Sequence, residues 1–369
     1  IDARGAYLAG STRWVPRIAD EMVSFTLAVD LPEDWDAVSQ GRRDAHTTTE
    51  GRRHVTWSAT DPTDSIYLVA APFHEWSRQA GAVRAYAFLR ADDRNLANRY
   101  LEVTAQYIGM YERLIGPYPY GKFALVENFW ETGYGMPSFT LLGPRVIRLP
   151  FILHSSYPHE ILHNWWGNSV FVDYAEGNWC EGLTAYLADH LIKEGQGKGA
   201  EYRRDALKKY RNFVRGARDF PLSEFSERHS EATEAVGYGK SLMVWHMLRR
   251  RLGDDVFTLG LQAFYRSHQY RTASFDDLRL SFEEVSGDSL ASFFRQWVTR
   301  PGAPEFSLEG VSREKKDGRY LLRATLLQVQ PGGDPFDVDV PLAITLEDRA
   351  VAHLVTVPMR GREATLDLA

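Results

Sequence analysis

Tyr157-Pro158-His159-Glu160-Ile161-Leu162-His163 opens the stretch that decides how this chain is read, and Asn178-Trp179-Cys180-Glu181-Gly182 closes it. His159 and His163 stand four residues apart. On a helix, that spacing projects both imidazoles from one face about a turn apart, as two ligands of one tetrahedral zinc require. Glu160, beside the first ligand, is then placed to act on a metal-bound water. Two histidines at helical spacing also fit a pair of buried partners or surface groups, and the chain has 11 histidines in 369 residues from which a short pattern could arise by chance. The helix context favours the metal: Ser155 and Ser156 offer an N-cap, Pro158 is tolerated in a first turn, and Gly167 offers a stop after Trp165-Trp166.

Two histidines leave a catalytic zinc short of a third protein ligand and an open position for water. Glu181, on a second helix expected to start near Asn178, is the next candidate. Asn178 followed by Glu181 three residues on also fits a capping box, so the spacing alone leaves both roles open.

The run His159-Glu160-Ile161-Leu162-His163-Asn164-Trp165-Trp166-Gly167-Asn168, followed by Asn178-Trp179-Cys180-Glu181-Gly182, resembles the M1 family of zinc aminopeptidases, gluzincins with a thermolysin-like catalytic domain. That family carries H-E-x-x-H, an aromatic-Gly-Asn step, and Asn-Glu-Gly on the following helix. Here Cys180 takes the place of that Asn, and seventeen residues separate His163 from Glu181, one fewer than usual. The connecting loop from Val170 to Gly177 can absorb the loss, so the resemblance implies a single zinc per chain held by His159, His163 and Glu181.

The resemblance implies more at two other places. Val236-Gly237-Tyr238-Gly239-Lys240-Ser241 is similar to the family's Tyr-x-Lys-Gly signature, whose Tyr donates a hydrogen bond to the oxyanion; Ser241 departs from it. Taken alone, Tyr238 would be one packing tyrosine among 18. Glu131-Thr132-Gly133-Tyr134-Gly135-Met136-Pro137-Ser138 lies where the family has a Gly-x-Met-Glu-Asn strand that lines the substrate cleft and whose Glu binds the peptide's free α-amine. Aligned on Met136, Gly135 falls at the variable position, while Pro137 and Ser138 stand at the Glu and Asn. Gly135 and Met136 are therefore expected to line the cleft. Glu127 and Glu131 are the nearest carboxylates in sequence that could replace the lost anchor, and Tyr7 to Pro16, the stretch expected to match a second family anchor, has neither Gln nor Glu. On the residues alone, 133 to 137 also reads as a Gly-rich turn into a strand.

The flanks read by periodicity. Up to about residue 92 the pattern is period two: Phe25, Leu27 and Val29 alternate with Thr26, Ala28 and Asp30, Val55 and Trp57 alternate with Thr56 and Ser58, and Ile66 to Ala71 is a short apolar run. Leu96, Tyr100, Val103, Tyr107, Tyr111 and Leu114 then recur every three or four residues, predicting one amphipathic helix over 94–115 with Asp92 or Asp93 at its start. Strands are expected at Phe123 to Glu127 and Ser138 to Leu142. Beyond Gly182 the chain reads as helical: Glu201 to Val214, Lys240 to Leu252, Asp254 to His268, Ser274 to Val285 and Asp288 to Trp297. Arg300-Pro301-Gly302-Ala303-Pro304 ends that run, and Tyr320 to Leu326, Val338 to Leu346 and Ala352 to Val357 alternate again.

The expected architecture is multidomain α+β. It has an N-terminal β domain over 1–93, entered partway, a mostly helical, thermolysin-like zinc peptidase domain over 94–302, and a C-terminal β-sandwich-like module over 303–369.

Composition is ordinary for a globular protein, with 44% hydrophobic and 25% charged residues. A net charge of −6 argues against nucleic-acid binding, and Arg249-Arg250-Arg251 reads as a solvated helix end. No apolar run approaches the ~18 residues that span a bilayer. The single cysteine, Cys180, rules out an internal disulfide and reads as a small buried residue, while His154, His190 and His246 lack ligand spacing and read as structural or surface groups. A chain that starts at Ile1 without a signal-like segment is expected to be a soluble portion, either secreted or periplasmic after removal of an upstream segment, or cytoplasmic. Peptides or proteins are the expected partners. The implied activity is zinc-dependent hydrolysis of peptide bonds, with Glu160 taking the proton of the water and Tyr238 stabilising the oxyanion. Its competitors are a zinc endopeptidase with altered N-terminus recognition and a non-catalytic scaffold that binds peptides in the same cleft.

Overall fold

The computed structural model describes residues 1–16, 21–214, 218–316, 319–345 and 352–368. The chain is mixed α/β and divides into two compact units, Ile1–Thr299 and Arg300–Ala369.

In the first unit, the period-two segments form two three-stranded antiparallel sheets. One orders Val23–Pro32, Arg52–Thr63 and Arg42–Thr49; the other orders Ala6–Leu8, Leu68–Ala71 and Asp36–Ser39. Their inward residues, Val38, Val55, Trp57 and Val69 among them, close one apolar core together with Phe88, Ala124, Val126, Phe139 and Leu141.

A five-stranded sheet comes next, in the order Gly133–Met136, Phe139–Leu142, Lys122–Glu127, Val83–Leu89, His74–Ala80. Val83–Leu89 and Phe139–Leu142 both run parallel to Lys122–Glu127, while Gly133–Met136 pairs antiparallel at the edge, Gly135 opposite Thr140. This sheet crosses the division expected at residue 93, because strands that read as part of the N-terminal β region hydrogen-bond to strands just ahead of the zinc motif.

The predicted amphipathic helix is Arg94–Leu114, capped by Asp93, whose carboxylate accepts from the backbone N–H of Leu96. Its buried stripe runs through Leu96, Tyr100, Thr104, Tyr107, Ile108 and Tyr111; Val103 and Leu114 stay partly exposed. The tyrosine hydroxyls reach across to the backbone that leads into the histidine motif: Tyr100 to Ile147 O, Tyr107 to Leu153 O and Tyr111 to Pro158 O. That bolting holds the next helix, Ser156–Leu162, in place. Ser155 occupies its N-cap position, yet the Ser155 hydroxyl donates to Phe151 O and does not cap. Gly167 takes φ +96°, in the left-handed region, where the chain turns out of the helix.

Downstream helices run Trp179–Ala185, Leu191–Gly195, Gly199–Phe213, Ser241–Leu252, Asp254–His268, Phe275–Ser286 and Ala291–Val298. Tyr186–His190 and Ala235–Lys240 are π-helical stretches within this run. Trp165, Trp166, Trp179 and Trp245 are fully buried among these helices, and the indole N–H groups of Trp165 and Trp179 donate to Gly116 O and Ala273 O. Among the described residues no helix is long and apolar enough to cross a membrane.

The second unit pairs Phe306–Lys316, Arg319–Gln328 and Glu363–Leu368 in one antiparallel sheet and Val338–Ile344 with His353–Met359 in a hairpin. Ala324, Leu326, Val340, Val357, Met359 and Leu366 fill its core. Leu346, the expected end of one strand, lies outside the described residues.

Candidate metal centre and active site

The helix Ser156–Leu162 presents His159 and His163 from one face, and the helix Trp179–Ala185 brings Glu181 to them. Glu181 Oε2 lies 3.4 Å from His159 Nε2 and 3.7 Å from His163 Nε2. One ligand atom from each of the three residues lies within 4.8 Å of the others, a spacing that lets all three donors meet one ion. Asn178 caps the second helix by itself, its Oδ1 accepting from the N–H groups of Cys180 and Glu181. Glu181 is therefore turned to the imidazoles and does not close a capping box.

The outer ring nitrogens are also spoken for. His159 Nδ1 meets Asp189 Oδ2 at 2.9 Å and His163 Nδ1 meets Trp166 O at 3.1 Å. Acceptors at Nδ1 hold the proton there and leave Nε2 as the ligand atom, the arrangement that orients metal-bound histidines. Two imidazoles and one carboxylate, each ring oriented from behind, fit a catalytic zinc with an open position. Burial pushes the His159 pKa down, but the Asp189 and Glu181 carboxylates outweigh it and hold it well above the ordinary value. Burial likewise pushes Glu181 up, but His163, His159 and the Tyr238 hydroxyl hold it at about 2.

Glu160 borders the same space. Burial raises its carboxyl above the ordinary value, the Glu181 and Asp189 charges add to the rise, and the two imidazoles oppose it. A raised pKa makes it a better proton acceptor and lets it hand the proton on. Gly135 passes directly over it: a β-carbon at that position would stand 2.7 Å from Glu160 Oε2 and 3.3 Å from His163 Cβ. The strand Gly133–Met136 thus lies against the histidine helix, with Met136 buried behind it.

Tyr238 sits in the π-helical stretch Ala235–Lys240, its ring stacked at 6.5 Å on that of His159 and its phenol facing the Glu181 carboxylate closely enough to feel its charge. Burial first, then the Glu181 charge, raises the phenol far above its ordinary pKa, so it stays a proton donor.

Glu127 and Glu131 are engaged elsewhere. The buried Glu127 carboxylate accepts from Arg148 Nη1 at 2.6 Å and from the Arg90 N–H at 2.8 Å. Glu131 accepts from the Arg145 N–H at 3.1 Å. Asp189 went unread in the sequence. Its signal was present, since it lies eight residues after Glu181, about two helical turns, but the π-helical insertion that aims it has no mark in composition. Cys180 is buried as expected, with Sγ 3.5 Å from His163 Nδ1.

Residues 154–297 match the peptidase family M1 domain. The chain is 23% identical over 394 aligned positions to the alanine/arginine aminopeptidase of Saccharomyces cerevisiae, covering 100% of this chain and 44% of that protein. It is 30% identical over 167 positions to aminopeptidase N of Lactococcus lactis subsp. lactis, covering 42% of this chain and 19% of that protein. The chain thus spans less than half the length of the curated relatives it matches. Among solved structures, an M1 zinc metallopeptidase from Deinococcus radiodurans superposes with a TM-score of 0.64 at 22% identity, over 78% of this chain and 65% of that one.

Proposed function

The chain belongs to peptidase family M1, and from that premise we propose that it is a zinc metallopeptidase of the aminopeptidase-like kind, hydrolysing peptide bonds in the cleft below the strand Gly133–Met136. The observation that carries this is the convergence of His159 Nε2, His163 Nε2 and Glu181 Oε2 beside Glu160 and Tyr238. Zinc held by His159, His163 and Glu181 would supply a Lewis acid for the scissile carbonyl and lower the pKa of the attacking water. Glu160 takes a proton from the attacking water and passes it to the leaving amine. The Tyr238 hydroxyl donates to the carbonyl oxygen as negative charge gathers there. A positioned donor of that kind contributes about 3 kcal/mol to the barrier. Asp189 and the Trp166 carbonyl hold the two imidazoles in orientation throughout.

A second reading, an endopeptidase, draws support from one place. Pro137 stands where the family has its amine-binding Glu, and Glu127 and Glu131 already engage Arg148 and Arg145, so neither replaces that Glu without breaking those contacts. The scaffold reading gains no such support, because Glu160 and all three ligand residues are intact.

The test compares a peptide with a free N-terminus with its acetylated form, before and after chelation. Cleavage should vanish with the metal and return with zinc. Glu160→Gln should keep stoichiometric zinc and lose nearly all turnover, and Tyr238→Phe should lose about 10²-fold in rate. A purified protein with no stoichiometric metal, or full activity in Glu160→Gln, overturns the proposal. Equal cleavage of both peptides selects the endopeptidase reading.

A further inference from the structure

Ser138 lies two residues beyond the cleft strand and has φ +66°, in the left-handed region that a serine seldom adopts. The resembled family has Asn at this position, the side chain that tolerates that region best after glycine. Here the conformation is held from outside. The Ser138 N–H donates to Asn164 Oδ1 at 2.8 Å. Lys122 Nζ donates to the Ser138 carbonyl at 3.1 Å and to its hydroxyl at 2.7 Å, and the Gly41 N–H donates to the same hydroxyl at 3.1 Å. Ser138, Asn164 and Lys122 are all buried, and Lys122 lies 4.9 Å from the centre of the Trp57 ring.

Asn164 is the residue after the ligand His163. Its Oδ1 also accepts from the Tyr118 hydroxyl at 3.1 Å, and its Nδ2 donates to Ile161 O at 2.8 Å. One carboxamide therefore ties the turn after the cleft strand to the helix that carries His159, Glu160 and His163. Three residues before that turn, Gly135 backs onto the Glu160 carboxylate. A shift of the turn moves Gly135 with it, because Gly133–Met136 and Phe139–Leu142 are paired residue by residue on either side.

We propose that Asn164 is a positioning residue for Glu160: by clamping the strained Ser138 turn to the histidine helix, it sets the strand where Gly135 confines the Glu160 carboxylate. The role in turnover rests on the peptidase reading; the clamp itself is a matter of backbone position. A structural asparagine would affect only stability, whereas a positioning one changes kcat in folded, zinc-loaded protein, since displacement of a reacting group by about 1 Å can cost 10²-fold.

The experiment measures kcat, KM, zinc content, melting temperature and amide exchange of residues 135–139 in wild type, Asn164→Leu and Asn164→Asp, with assays well below every melting temperature. Asn164→Ala stands in should the leucine variant not fold. Asn164→Leu, or Asn164→Ala, should lose about 10-fold or more in kcat with KM within about 3-fold and zinc retained, and should exchange faster at 135–139. Asn164→Asp, which keeps the acceptor for the Ser138 N–H, should recover kcat to within about 3-fold of wild type. Melting temperatures that fall while kcat stays at the wild-type value overturn the proposal, as does an equal loss of kcat in Asn164→Asp. A wild type that hydrolyses no peptide refutes the peptidase reading first and the role in turnover with it, an outcome distinct from an active wild type with unimpaired variants.

Discussion

Gly135 shows how one missing β-carbon can matter more to chemistry than to folding. The atom that an alanine there would strike is Glu160 Oε2, the far end of a flexible side chain, while His163 Cβ at 3.3 Å need give only slightly, so the fold can yield cheaply while the carboxylate cannot keep its place. Gly135→Ala should therefore bind zinc and melt close to wild type but lose about 10²-fold in kcat, the cost of misplacing a reacting group. Thermal melting together with kinetics on one free-amine peptide checks this, and wild-type turnover would show that Glu160 has room the structure does not give it. The same residue scale explains the Pro137 departure. Proline needs no N–H on the sheet edge and keeps Met136 extended, so it suits the strand end while removing a carboxylate from the cleft.

At the scale of elements, the geometry around His159 depends on two places where helices depart from regular winding. Tyr186–His190 and Ala235–Lys240 are π-helical, and they carry Asp189 and Tyr238 respectively. The extra residue in each rotates the rest of its helix about the axis, and such bulges recur at functional sites. The helix bearing Glu181 crosses the second of these stretches so closely that a β-carbon on Gly182 would collide with the Ser241 side chain and reach 2.9 Å from Gly237 O. Gly182→Ala should destabilise the protein by about 2 kcal/mol or more, in the range of overpacked cores. Ser241→Gly in the same chain should recover part of that loss, because it removes the side chain that is struck. Urea unfolding of the single and double variants measures the coupling, and strictly additive effects would mean that the two helices do not meet there.

At the scale of the whole molecule, acid should weaken the fold through a polar cluster beside the candidate metal centre. His190 is fully buried and accepts from Arg203 Nη1 at 2.7 Å; His246 Nδ1 meets the Tyr186 hydroxyl at 3.2 Å; Arg249 pairs with Glu194 at 2.7 Å. Burial first, then the arginine charges, holds both histidines down to about 4, against an ordinary 6.5. Below pH 6.5 the unfolded chain takes up protons that the folded one refuses. Their contribution to stability is therefore complete above that pH and is lost as pH falls toward 4. The urea midpoint should drop steeply between these values, and His246→Gln should flatten the drop relative to wild type. Parallel slopes for the two proteins would place the acid sensitivity elsewhere.

Much of this protein was written locally. The i, i+4 histidines, the Asp93 cap, the stripe of Tyr100, Tyr107 and Tyr111 and the alternation of Val55 and Trp57 are short-range patterns, and the helices and strands they predict are those that form. Family motifs extended that reach to Glu181 and Tyr238, which lie beside His159 despite their distance along the chain. What needed tertiary structure was everything set by pairing across long separations. The sheet that crosses residue 93 exists because Val83–Leu89 finds Lys122–Glu127, a choice no local period encodes. Glu127 and Glu131, the nearest carboxylates in sequence to the lost anchor, are bound to Arg148 and Arg145, whose positions depend on how the chain returns. Asp189 and Asn164 acquire their partners from helix winding and strand placement. Local sequence determines which residues share a face, whereas only the packed fold decides which faces meet.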